Sequence, residues 1–111
     1  MTENRRTREF KDFFRNLPPG VKSVSKETFN LFLRDPKHYS LQLHEYKGLR
    51  LTPLPVATKR PKVFGVYVTR GFRALALYRP DIDTNVWFWT GKHSDCDTKF
   101  KPGTTLPLPV K

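Results

Sequence analysis

One cysteine, Cys96, stands in 111 residues, so no intrachain disulfide can form. That excludes a disulfide-stapled secreted scaffold and fits a reducing compartment. No run of apolar residues approaches the roughly 18 to 20 that a membrane span needs. The opening MTENRRTREF has charges but no apolar stretch behind them, which argues against a secretory leader. The expectation is a soluble, cytoplasmic protein without a membrane partner. Acidic residues are scarce as well: ten Asp and Glu face twenty-one Lys and Arg, a formal net charge of +11. Between Tyr46 and Pro80 there is no acidic residue at all. The same stretch holds eight basic ones: Lys47, Arg50, Lys59, Arg60, Lys62, Arg70, Arg73 and Arg79. An ordinary solvated face mixes its signs, so this distribution points to a polyanionic partner, although charge carries no sequence preference.

What is abundant is aromatic. Nine Phe, four Tyr and two Trp supply enough bulky apolar surface to offset the entropy of ordering one domain, which argues against a disordered chain. Phe10, Phe13, Phe14 and Leu17 recur at helical spacing, and Pro18-Pro19-Gly20 ends that segment. Val21, Val24, Thr28, Leu31 and Phe32 mark a second helix, which stops near Arg34 because Asp35 precedes Pro36. Ser40 to Lys47 alternates as a strand, with Leu41 and Leu43 on one face and Gln42 and His44 on the other. Val63 to Arg70 and Phe72 to Arg79 read as strands of a hairpin, with Gly71 free to take a positive φ at the turn. Pro80 to Asp83 is a turn, and Asn85 to Thr90 a further strand. The class is α+β: two N-terminal helices packed on a curved antiparallel sheet of about four strands. Residues 1–101 form the domain, interrupted by a Pro-rich basic loop at 49–62, and 102–111 form an extended Pro-rich tail. Pro53-Leu-Pro-Val56 recurs at 107–110, a repeat short enough to be coincidence or a polyproline peptide for a partner groove.

Reactive groups crowd into Trp89-Thr-Gly-Lys-His-Ser-Asp-Cys-Asp97. A zinc site would want paired ligands, and with one Cys and two remote His neither a metal nor another cofactor is expected. Cys96 activated by His93 is a possible nucleophile, but flanking Asp95 and Asp97 would raise its pKa, not lower it. In phosphodiester chemistry His93 would move protons while Lys92 and nearby Arg hold phosphate charge. The plain alternative is that His93 and the two Asp cap a turn. Arg73 sits in an apolar strand, sharing a face with Leu75 and Leu77. Its guanidinium suits phosphate, or else a structural ion pair with Asp95 or Asp97.

Three segments together resemble the RelE/ParE toxin superfamily. Phe32-Leu-Arg-Asp-Pro-Lys-His-Tyr-Ser-Leu41 is similar to the toxins' helix-to-strand junction. Val66 to Leu75 is similar to their paired central strands, and Val86 to Asp97 to their last strand and its ending. The resemblance runs in order over roughly residues 8 to 100. It implies a toxin of a type II toxin–antitoxin system, kept silent by a cognate antitoxin. Its RelE-like members are endoribonucleases that cleave mRNA on the ribosome through attack by the 2′-hydroxyl, and its ParE-like members poison DNA gyrase. By this resemblance Arg73 contacts the scissile phosphate and His93, with Asp95 or Asp97, handles protons. On their charge more than on the resemblance, Lys47, Arg50, Lys59, Arg60, Lys62, Arg70 and Lys92 are expected to hold the nucleic-acid backbone. The chain departs from the pattern at Cys96, where many relatives carry Tyr, and at the 49–62 insertion. The ribonuclease expectation requires Arg73, His93 and Lys47 to share one concave surface.

Overall fold

Thr7 starts the first helix because its Oγ1 accepts a hydrogen bond from the Phe10 amide at 3.0 Å, satisfying a donor with no partner inside the helix. The computed structural model describes residues 2–52 and 61–107. Lys59, Arg60, the Pro-Leu-Pro-Val copy at 53–56 and residues 108–110 of its repeat lie outside the described residues. Helix α1 spans Arg8–Arg15 and α2 spans Pro19–Arg34. Pro19 and Gly20, expected in the turn, already belong to α2; proline's fixed φ suits a first helical position, where the missing N–H costs nothing. As the X-Pro restriction requires, α2 stops at Arg34.

The strands are β1 (Glu3–Arg6), β2 (His44–Glu45), β3 (Arg50–Thr52), β4 (Lys62–Thr69), β5 (Phe72–Arg79), β6 (Thr84–Lys92) and β7 (Thr105–Pro107); α3 spans His93–Lys99. The main sheet has five strands in the order β1-β6-β5-β4-β2. Four run antiparallel, as the alternation suggests, but β1 joins β6 in parallel. The polar ENRR segment carries no strand periodicity. Its place is set by long-range bonds: Asn4 Oδ1 accepts from both Trp87 Nε1 and Asn85 Nδ2, at 3.0 and 3.1 Å.

Other expectations change too. The strand expected over 40–47 begins instead inside a 3-10 turn, Tyr39–Leu41, and pairing is confined to His44–Glu45. Leu41 is buried while Leu43 is exposed, because Gln42 between them takes a left-handed φ of 45° and breaks the alternation. Gly71 is not among the positive-φ residues; the left-handed glycines are Gly48 and Gly103. The β4–β5 hairpin turns instead with a register shift between Tyr67 and Thr69. Inside the expected 49–62 loop, β3 pairs in parallel with β7 from the expected tail, and Leu49, Leu51 and Leu106 pack into the core. These Leu side chains dock both segments by burial that no local pattern announces.

The sheet separates two apolar layers. One holds Phe10, Phe32, Val66, Val68, Ala74, Ala76 and Trp87 beneath α1 and α2. The other holds Val63, Leu75, Leu77, Phe88, Trp89 and Cys96 beneath α3 and the β3–β7 pair. A register shift between Leu75 and Ala76 sends Phe88 and Trp89 to the second layer while Trp87 serves the first. Two consecutive aromatics thus share a face, which simple alternation forbids.

Candidate active site

Strand β5 places Arg73 on the sheet face turned away from α1 and α2, paired with Tyr67 on β4 and Gly91 on β6. Its guanidinium lies over the Tyr67 ring at 4.7 Å. Nη1 donates to the carbonyls of Thr69 at 2.8 Å and Phe72 at 2.9 Å, so the hairpin itself aims the side chain. The ion pair with Asp95 or Asp97 that its sequence setting allowed is not made. Among the described residues Nε and Nη2 have no protein acceptor, which leaves two donors of the fork for a ligand.

His93 opens α3 where β6 ends, its amide donating to Gly71 O at 2.8 Å. Helical spacing brings Asp97 one turn later onto the same side, with Oδ1 3.4 Å from His93 Nε2. Asp95, two residues after His93, is exposed, lines no part of the cavity described below and sits near the opposite side of the helix. Cys96 points inward and is wholly buried. As a candidate nucleophile Cys96 fails on access, and burial pushes its thiol pKa up, away from the thiolate.

The Cys96 sulfur lies 3.1 Å from the hydroxyl of Tyr46, which follows β2. The Tyr46 ring lies against Gly65, where an added Cβ would meet Cε1 at 2.9 Å. Gly65→Ala is therefore expected to displace the ring and cost about 1–3 kcal/mol, read by urea denaturation; an unchanged midpoint would show that the ring yields freely. Burial, then the Cys96 contact, raises the Tyr46 pKa well above the ordinary phenol value. Both groups are held neutral by folding, so the unfolded chain ionises first, its thiol from about pH 8.5 and its phenol from about pH 10. Their contribution to stability is full below that range and is lost as pH rises through it toward the folded values. Melting temperature should fall from about pH 8.5 upward, and the Cys96→Ala, Tyr46→Phe double variant should fall less steeply over the same window. Parallel curves for the two proteins would assign the loss to other groups.

A cavity of about 360 Å³ joins these elements, lined by Gln42, Leu43, His44, Tyr46, Gly65, Arg73, His93 and Asp97. Arg73 and His93, 20 positions apart in sequence, thus line one space. Lys47 flanks it along an adjoining groove that shares His44, Tyr46 and Asp97. Arg50 and Lys62 line a further cleft beyond Tyr46 and Lys47. Arg70 and Lys92 are exposed at the hairpin turn and the end of β6, outside the cavity. Among the described residues no three His, Cys, Asp or Glu side chains gather as a metal site, and no helix is long and apolar enough to cross a membrane. Sequence reasoning passed over His44, Tyr46 and Tyr67. A signal existed for the first two: residues two apart on an extended strand share a face, and Tyr46 begins the acid-free stretch.

By sequence, no family model and no curated protein matches this chain. Solved structures do match its shape. A chain of the archaeal RelE–RelB complex from Pyrococcus horikoshii OT3 superposes with a TM-score of 0.59 at 6% identity, over 82% of this chain and 93% of that one. YafQ from E. coli strain BL21(DE3) gives 0.58 at 10% identity, over 86% and 98%. A metal-bound toxin from Helicobacter pylori gives 0.54 at 14% identity, again over 86% and 98%. Each alignment spans nearly the whole of the other protein, so the likeness concerns the entire domain and not a shared hairpin. The chain has a RelE-like α+β fold.

Proposed function

We propose that this protein is a type II toxin that cleaves mRNA on the ribosome, with its reaction centred on Arg73 and the His93–Asp97 pair. The observation that supports this most is the shared cavity: a guanidinium with two donors to spare, an imidazole beside a carboxylate, and a second imidazole, His44, on the same walls. In such a site the RNA's own 2′-hydroxyl attacks the adjacent phosphorus, forming the 2′-O–P bond as the P–O5′ bond breaks. The products are a 2′,3′-cyclic phosphate and a 5′-hydroxyl. Arg73 binds the phosphoryl oxygens as their charge grows. His93, its imidazolium braced by Asp97, gives a proton to the departing O5′, while His44 takes the proton of the 2′-hydroxyl. Lys47, Arg50 and Lys62 line the grooves that lead away from the cavity and would hold flanking phosphates, giving the complex a strong salt dependence.

Partner assignments follow from the same reading. RelE of the archaeal complex was crystallised with RelB, and a cognate antitoxin is the corresponding partner here. The experiment is to add purified protein to translating ribosomes and map new RNA 5′ ends. Ends bearing 5′-hydroxyls within translated message are expected. Intact message together with DNA breaks in induced cells would instead identify a gyrase-directed toxin and end the ribonuclease reading.

A further inference from the structure

The 3-10 turn at Tyr39–Leu41 holds one side chain in the core and leaves its neighbour in water. Leu41 is 1% exposed, whereas Tyr39 is 85% exposed. The Tyr39 ring nevertheless has a fixed setting. It stacks on His38 with centroids 4.6 Å apart and planes 26° from parallel. His38 is fixed in turn, because its Nδ1 accepts from the Ser40 amide at 3.2 Å and meets Ser40 Oγ at 2.8 Å. An amide N–H can only donate, so Nδ1 is the acceptor and the imidazole plane is set by the turn. The fold thus maintains an ordered two-ring stack at the surface that buries almost none of the tyrosine.

Its location connects it to the cavity. The Gln42 amide returns to Tyr39 O at 3.2 Å, and Gln42 itself lines the cavity with Arg73 and His93. Leu43 and His44 line that cavity and also a neighbouring cleft bounded by Pro36, Lys37 and Lys62. Lys37, adjacent in sequence to His38, is exposed, and it lines that cleft with Lys62 and Glu45. An exposed stacked aromatic face suits an unpaired nucleobase, since every base presents a π-face, and Lys37 and Lys62 in the neighbouring cleft can meet its phosphates. We propose that the Tyr39–His38 stack is a platform for a base of the single-stranded RNA whose phosphate meets Arg73. The inference rests on the ribonuclease reading for its ligand class.

Its test leaves cleavage out. The full-length protein is titrated into two labelled oligomers, a short 2′-O-methyl oligoribonucleotide, which has no attacking hydroxyl, and an abasic oligomer of equal length. At low salt Tyr39→Ala should bind the base-bearing oligomer about tenfold more weakly than the parent. Affinity for the abasic oligomer should stay unchanged, and Tyr39→Trp should restore the difference. Equal affinities for parent and Tyr39→Ala, an equal loss on both oligomers, or no binding by the parent would each overturn the platform; the first would leave the exposed ring to a protein partner. A protein that never cuts RNA could still pass this test, and an active ribonuclease could fail it, so the two readings fall separately.

Discussion

Replacing Arg73 with alanine is expected to lower RNA cleavage by about 100- to 1,000-fold, the usual cost of removing a donor aimed at charge that develops in the transition state. This follows from how the side chain is held. One nitrogen is tied to the carbonyls of Thr69 and Phe72, the plane rests over Tyr67, and Arg73 lines the cavity shared with His93. Such a group is oriented before substrate arrives. Arg73→Lys keeps the charge but not the planar fork, so it should recover only part of the lost rate. Alanine also removes the hairpin's carbonyl bonds, at about 1 kcal/mol each, so melting temperature must be followed in parallel. Single-turnover cleavage within threefold of the parent, in a variant that remains folded, would take Arg73 out of the reaction.

Trp87→Ala should have the largest effect on stability, about 3–5 kcal/mol. Trp87 is 2% exposed and meets four aromatic rings: Phe32 at 5.2 Å, Phe64 at 5.6 Å, Phe29 at 5.9 Å and Phe10 at 6.4 Å. These rings belong to α1, α2 and β4, so one indole ties both helices to the sheet. Its Nε1 also donates to Asn4, which holds β1 on the sheet edge. Small domains have only about 5–15 kcal/mol in total, and the variant would therefore lie close to unfolding at growth temperature. Trp87→Phe keeps most of the apolar volume and loses the bond to Asn4, for an expected cost of about 1–2 kcal/mol. Urea denaturation measures both. A Trp87→Ala loss below about 1 kcal/mol would mean that the cavity collapses and the neighbouring rings repack.

Much of the architecture could be read locally. The Phe10-to-Leu17 stripe, the stop before Pro36 and the two hairpin strands each depend on periodicity or on backbone sterics acting within a few residues. The motif order pointed to the fold, and the structural likeness to RelE and YafQ agrees with it. Asp95 and Cys96 were harder to judge. Sequence places them beside His93, but the helix that forms from His93 to Lys99 turns Cys96 inward, Asp97 toward the cavity and Asp95 away. A turn capped by those residues would not sort them in this way.

By itself the amino-acid order determined the two helices, the β4–β5–β6 meander, the acid-free basic stretch and Arg73 and His93 as the residues to watch. Each of those properties is local, or a sum over the chain. Tertiary structure alone decided that β1 joins the sheet in parallel, that β3 meets β7, and that His44 and Tyr46 line the same cavity as Arg73 and His93. Those outcomes come from contacts between segments far apart in sequence, where burial of Leu49, Leu51 and Leu106 or a bond to Asn4 outweighs weak local preference. Such contacts leave no period in the chain to read.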